Sequence, residues 1–223
     1  MKQLPLDLEL PHPFAFDNFV VGANAELVFQ LSELARGKLP ERAIYIWGVT
    51  GTGKSHLLNA TEQATRAGGF AVARIDAHSL VDANAPMAEL LVVDDIEAAS
   101  PASQIALFDL YNQQREAGLA WLAAGTLPPS QLPLREDLRN RMGWGLVYEV
   151  RPANDDDKIK LLQQRALERG VEIGEEVCRY LVTHRGRDLA SLFADIAWLD
   201  REALAAKRPV TLPFAREALR QRR

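Results

Sequence analysis

The sequence is poor in cysteine: Cys178 is the single one among 223 residues, so no disulfide can form within the chain. Its four histidines, His12, His56, His78 and His184, are scattered, which excludes a metal site built on close ligand spacing. An excess of positive charge is also missing. With 26 Lys+Arg against 30 Asp+Glu the net charge is −4, which excludes a uniformly basic nucleic-acid coat. No apolar run approaches the roughly 18 residues of a membrane span. Asp7 and Glu9 interrupt the Leu-rich N-terminal stretch, so it has no signal-peptide core. An intracellular, reducing location and no membrane partner are expected. What remains is an ordinary globular composition, 48% hydrophobic and 25% charged, in a chain that can bury roughly 70% of its unfolded surface.

Residues 1–13 carry three prolines, and the alternation of Leu4, Leu6, Leu8 and Leu10 suits an extended tail. From Ala43 onward short apolar runs alternate with helical periodicity. Strands are expected at Ala43–Trp47, Ala71–Ile75, Leu90–Val93, Ala120–Ala124 and Leu146–Val150, with helices after residue 53 and near Pro101–Ala117 and Glu136–Met142. Fully apolar strands separated by helices predict an α/β domain over 14–152, a five-stranded parallel sheet flanked by helices. After Pro152 the strands stop. Helices are expected at Asp155–Arg169, Glu175–His184, Asp188–Ala206 and after Pro213, giving a small all-helical subdomain over 153–223.

Gly48-Val49-Thr50-Gly51-Thr52-Gly53-Lys54-Ser55 fits the phosphate-binding pattern G-x-x-x-x-G-K-[ST], placed between an apolar strand and a helix. The glycines let consecutive backbone N–H groups face the phosphates, and the helix N-terminus adds partial positive charge. Thr50, Gly51, Thr52, Gly53, Lys54, Ser55 and His56 form the expected cofactor-binding set, with Lys54 on the β/γ-phosphates and the Ser55 hydroxyl on Mg²⁺. A chance match to the four specified positions arises at roughly 10⁻⁵ to 10⁻⁴ per start position at average residue usage. The second element is Leu90-Leu91-Val92-Val93-Asp94-Asp95, an apolar strand ending in two carboxylates. Asp94 would hold Mg²⁺ through water, and Asp95 would position or activate the attacking water. The strand expected at Ala71–Ile75 intervenes in sequence, which implies an extra strand lying between the two motif strands.

Three stretches together resemble the AAA+ core of the bacterial replication initiator DnaA: Phe16-Asp17-Asn18-Phe19-Val20-Val21-Gly22, Val93-Asp94-Asp95-Ile96, and Arg139-Asn140-Arg141-Met142-Gly143-Trp144-Gly145. The resemblance runs from about Phe14 to about Leu204. It implies that Phe19, Val20 and Val21 line an adenine pocket and that the helical subdomain is a lid. It also makes Arg141 an arginine finger acting in trans on a neighbour's ATP, Thr126 the sensor-1 residue and Arg187 the sensor-2 arginine. Read from the residues alone, Arg141 could instead pair with Glu136 or Asp137 a turn earlier.

An initiator would need a further helix-turn-helix domain to read duplex sequence, and none is expected within these 223 residues. Lys207, Arg208, Arg216, Arg220, Arg222 and Arg223 make the end of the chain basic, which suits a helix C-terminus as well as DNA contact. Gln3-Leu4-Pro5-Leu6-Asp7-Leu8 resembles the Q-x-x-L-x-[LF] peptides that dock on the DNA polymerase III sliding clamp (β subunit), with Gln3, Leu4, Leu6 and Leu8 as the docking set. The combination resembles the regulatory-inactivator branch of the DnaA-related family. It implies a cytoplasmic, nucleoid-associated negative regulator of replication initiation that carries ADP or ATP with Mg²⁺, reaches DNA through the clamp, stimulates hydrolysis of DnaA-bound ATP and can form a homodimer. It would act on its partner's ATP rather than as a stand-alone enzyme. Two alternatives are open: an initiator- or loader-type AAA+ ATPase acting directly on DNA, and an autonomous ATPase.

Overall fold

The computed structural model describes residues 14–78, 80, 87–185 and 189–221. The proposed clamp-docking set Gln3, Leu4, Leu6 and Leu8, and Arg187, lie outside the described residues. The chain divides into two compact units, the first ending at Pro152 and the second beginning at Ala153.

In the first unit, single 3₁₀ turns at Phe16–Asn18 and Gly22–Asn24 lead into α1 (Ala25–Ala35). There follow β1 (Ala43–Trp47), α2 (Lys54–Ala67), β2 (Val72–Asp76), β3 (Leu90–Asp94), α3 (Pro101–Glu116), β4 (Ala120–Gly125), α4 (Glu136–Met142) and β5 (Leu146–Glu149). The five strands form one parallel sheet in the order β2-β3-β4-β1-β5. The extra strand between the two motif strands is therefore β4, and β2 takes the edge. Alternation along each strand feeds two cores: Leu91 and Val93 of β3 join Leu107, Leu110 and Leu138 on one face, while Leu90 and Val92 join Leu31, Leu57 and Leu58 on the other. Burial on both faces is the reason these strands read as continuous apolar runs.

Several boundaries differ from the sequence expectation. β2 starts and ends one residue later than Ala71–Ile75, because its parallel register pairs Val72 with Leu90 and Asp76 with Asp94. Val150 lies beyond the end of β5, although its N–H still donates to the Trp47 carbonyl at 2.7 Å. Helix α1 was not expected at all. Its Leu27, Leu31 and Leu34 form a buried stripe, yet Phe29 on the opposite face is largely exposed and the Asn24 side chain does not cap it. Asn24 is instead buried and clasps the backbone of Arg151: Nδ2 donates to the Arg151 carbonyl at 3.0 Å, and Oδ1 accepts the Arg151 N–H at 2.8 Å.

The second unit contains α5 (Asp155–Glu168), α6 (Glu175–His184), α7 (Leu189–Ala206) and α8 (Leu212–Gln221). Asn154 caps α5 by accepting the Asp157 N–H at 2.8 Å, and the three aspartates of the first turn complement the helix dipole. Leu162, Val177, Leu181, Leu192, Ile196 and Leu199 anchor a core of its own. The buried carboxylate of Asp195 accepts two hydrogen bonds from Arg185, at 3.2 and 3.4 Å, which ties the end of α6 to α7. Among the described residues no helix is long and apolar enough to cross a membrane.

Candidate functional site

The loop between β1 and α2 turns back on itself at Gly51 and Gly53, whose φ angles of 87° and 97° lie in the region open to glycine. Thr52 fastens the turn, its hydroxyl donating to the Val49 carbonyl at 3.0 Å. No side chain caps α2 at Gly53, so the first N–H groups of the helix face the loop without a side-chain acceptor. Lys54 opens the helix at 7% exposure, and its ammonium donates to the carbonyls of Gly48 at 2.6 Å and Val49 at 3.3 Å. Positive charge and unshared donors thus converge on one loop, the arrangement that receives a polyphosphate.

The segment before α1 folds over the same place. The Phe19 ring lies against Gly53, where a Cβ would come within 2.8 Å of it. His56 Nε2 sits 3.0 Å from the Ala15 carbonyl, and its ring meets Phe14 edge-on at 5.4 Å and Phe19 at 5.8 Å. Of the three residues expected to line an adenine pocket, Phe19 and Val20 are half-buried and Val21 is exposed. Ser55 is exposed beside Lys54, and Thr50 and Gly51 are exposed in the loop.

Asp94 ends β3 at the C-terminal edge of the sheet and Asp95 follows it, beside a cleft of about 520 Å³ lined by Arg74, Asp76, His78, Asp94, Asp95 and Ala98. Asp94 Oδ1 accepts the N–H of Asp95 at 3.0 Å, and Oδ2 accepts Arg74 Nη2 at 3.0 Å. Arg74 also donates through Nη1 to Asn59 Oδ1 at 2.7 Å and Glu62 Oε1 at 2.6 Å. Its position on β2 reads in sequence as an outward-facing strand residue, so nothing local reveals this bridge. Asp95 adopts φ 45°, ψ 52°, an uncommon left-handed conformation for a residue with a Cβ. Desolvation, then the neighbouring charges of Asp94 and Glu97, raise its carboxyl above the usual carboxylate range, with Lys54 opposing.

The oxygen donors of Ser55 and Asp94 have the chemistry Mg²⁺ selects, since that ion is held by few protein oxygens together with phosphate and water. Each Asp94 oxygen keeps a lone pair beyond its present bond. Among the described residues no cluster of three or more His, Cys, Asp or Glu forms an all-protein metal cage.

Glu97 is a second residue the sequence did not single out. Its Oε1 accepts the Thr126 N–H at 2.7 Å, and its Oε2 is buried without a partner. Half-buried Thr126 is thus fastened by its backbone to the turn after Asp95. Gly125 makes this possible, because a Cβ there would strike both the Tyr45 hydroxyl and Glu97 Oε2. Tyr45 donates to the Leu127 carbonyl at 2.7 Å, and burial, followed by the charge of Glu97, raises its phenol well above the ordinary range.

Arg141 joins none of these groups. On α4 its Nε donates to Asn112 Oδ1 of α3 at 2.9 Å, and its guanidinium carbon lies 3.6 Å from the Trp144 ring centre and 5.0 Å from that of Phe108. The alternative pairing with Glu136 or Asp137 does not occur: Asp137 bonds Arg135 at 2.8 Å, and among the described residues no carboxylate pairs with Arg141. The basic residues near the C-terminus are partly engaged within their own unit. Arg208 lies 3.8 Å from Glu217 and over the Phe214 ring, and Arg216 lies over Tyr180.

Residues 10–77 match the family model for the bacterial DnaA ATPase domain, and residues 155–219 match that for the Hda lid domain. Domain III of the replication initiation protein DnaA from Thermotoga maritima superposes with a TM-score of 0.79 at 20% identity, over 93% of this chain and 96% of that one. AMPPCP-bound DnaA from Aquifex aeolicus gives 0.73 at 21% identity, over 86% of this chain and 67% of that one. The Holliday junction branch migration motor RuvB of Thermotoga maritima gives 0.72 at 15% identity, over 93% and 72%. Similarities this distant define the fold, while the two family models divide between its nucleotide-loop end and its helical end. Read with the parallel sheet and the loop geometry, they make the chain a DnaA/Hda-related AAA+ protein.

Proposed function

We propose that the protein is a negative regulator of replication initiation that binds an adenine nucleotide and stimulates hydrolysis of ATP held by DnaA. The observation that carries this reading is the separation of two features: a phosphate-binding loop with Lys54 at its centre, and Arg141, held apart from it by Asn112 and paired with no carboxylate among the described residues. An arginine available to a second molecule can neutralise charge that develops on a transferred phosphoryl group, an effect worth roughly 10³–10⁵ in rate.

In this reading Thr50 to His56 cradle ADP or ATP, Phe19, Val20 and Val21 flank the base, and Arg187 reaches the phosphates. Ser55 and Asp94 would hold Mg²⁺, whose contribution when bound is to neutralise phosphate charge. Asp95 orients a water and Thr126 holds the sensor segment near it. Gln3, Leu4, Leu6 and Leu8 dock on the sliding clamp, which brings the protein to DNA without a basic surface of its own. The basic side chains near the C-terminus that are engaged within their own unit, Arg208 and Arg216, favour this indirect route over direct DNA binding.

The test mixes ATP-loaded DnaA, clamp-loaded DNA and this protein, and follows phosphate release. Stimulated hydrolysis is expected, lost in Arg141→Ala and lost again when Gln3, Leu6 and Leu8 are replaced by alanine. Full stimulation by Arg141→Ala would overturn the finger role, and full clamp binding by the triple variant would overturn the docking role.

A further inference from the structure

We infer that Trp144 is the positioning residue for Arg141: its indole face holds the guanidinium in the orientation in which it is offered to the partner's phosphates. This rests on the proposed role of Arg141 as a finger acting in trans.

The local chain builds the pair. Helix α4 ends at Met142, and the turn through Gly143 brings the Trp144 N–H back onto the Arg141 carbonyl at 3.2 Å. This leaves the indole over the guanidinium at 3.6 Å, close enough for face-on stacking. Three contacts then define where the cation points: Trp144, Asn112 at Nε, and the Phe108 ring at 5.0 Å.

What these contacts use, and what they leave, is the substance of the inference. A guanidinium has five N–H donors in its plane. Stacking engages the face and none of the donors, and Asn112 takes only Nε–H. The four N–H bonds on the two Nη atoms remain in plane, in the fork geometry that suits phosphate oxygens. The partner of Nε is a neutral amide, so the positive charge is oriented without being neutralised. Other arginines of the first unit are spent differently: Arg74 on Glu62 and Asp94, Arg135 on Asp137. Arg115 also lies over the Trp144 ring, at 5.2 Å, so the indole carries two cations, and the local potential favours an anion from outside. Trp144 itself is 52% exposed, so its bulk is not explained by core packing. A preorganised cation loses less on meeting the transition state than one that must be collected from many rotamers.

The test compares the parent protein with Trp144→Ala, Trp144→Phe and Arg141→Ala in the partner-stimulated ATP hydrolysis described above, titrating this protein. Trp144→Ala is expected to lower the maximal stimulated rate about ten- to a hundred-fold, with its half-saturating concentration unchanged within about twofold. Trp144→Phe, which keeps a ring face, restores most of the rate. Adding Trp144→Ala to Arg141→Ala costs nothing further. A partner-free readout accompanies this. The Arg141 Nε–H resonance, identified by its loss in Arg141→Ala, is displaced by the indole ring current in the parent and moves to the position of an exposed arginine in Trp144→Ala. Unchanged stimulation by Trp144→Ala, or an Arg141 resonance that ignores the substitution, overturns the inference while leaving the finger reading intact. A raised half-saturating concentration at full maximal rate also overturns it, making Trp144 a docking contact instead. Full stimulation by Arg141→Ala overturns the finger reading, and the inference with it.

Discussion

Cys178 is fully buried among the helices of the second unit, and desolvation raises its thiol from an ordinary value near 9 to about 11. The consequence for stability has a definite sign. Between pH 9 and 11 the unfolded chain loses the thiol proton while the folded chain keeps it, so the unfolded state binds fewer protons and stability falls as pH rises. Two pH units correspond to about 2–3 kcal/mol. Thermal melts from pH 8 to pH 11 should therefore decline more steeply for the parent than for Cys178→Ala, whose curve lacks this contribution. Parallel declines would show that the thiol is not coupled to folding. Single residues differ sharply in how far the sequence exposes them. Lys54 and Asp94 stand out because their chemistry is tied to a contiguous motif. Arg74 and Glu97 do not, because their partners come from other elements: Asn59 and Glu62 on α2 for the first, the Thr126 N–H after β4 for the second. Trp144 stands in plain view inside a motif, but its stacking on Arg141 depends on the backbone turn at Gly143, which residue types alone do not define.

Elements were legible where burial is two-sided. β3 from Leu90 to Val93 and β4 throughout are apolar because each faces helices above and below, and the shortness of the runs favours strand over buried helix. α1 was missed although Asn24 is a residue type that starts helices and Leu27, Val28, Leu31 and Leu34 recur at helical spacing. What fixes its entry is a tertiary clasp, Asn24 on Arg151, which joins the segment before α1 to the end of β5. Both bonds are to backbone groups that no other described side chain serves, so Asn24→Ala should cost about 1–2 kcal/mol. Asn24→Asp keeps the acceptor for the Arg151 N–H but sets a buried carboxylate oxygen against the Arg151 carbonyl, so it should cost at least as much as Asn24→Ala. Urea unfolding midpoints for the three proteins test this, and equal midpoints would mean that water replaces the clasp without loss.

The whole chain pairs a sheet unit with two cores and a helical unit with its own, each with enough buried aliphatic residues to unfold as a body. Nucleotide then becomes a probe of how far the proposed site extends. A ligand at roughly 100 times its Kd adds about 2.7 kcal/mol to whatever it binds in the folded state. If Lys54 and Arg187 both hold ADP, calorimetry with saturating ADP should raise the transitions of both units, because the helical unit supplies Arg187. Arg187→Ala should leave only the first unit's transition raised, and Lys54→Met should remove both shifts. A parent protein in which only the first transition moves would strip Arg187 of its role. One in which neither moves would contradict nucleotide binding itself, since the linkage between a tightly held ligand and the stability of its site has no other outcome.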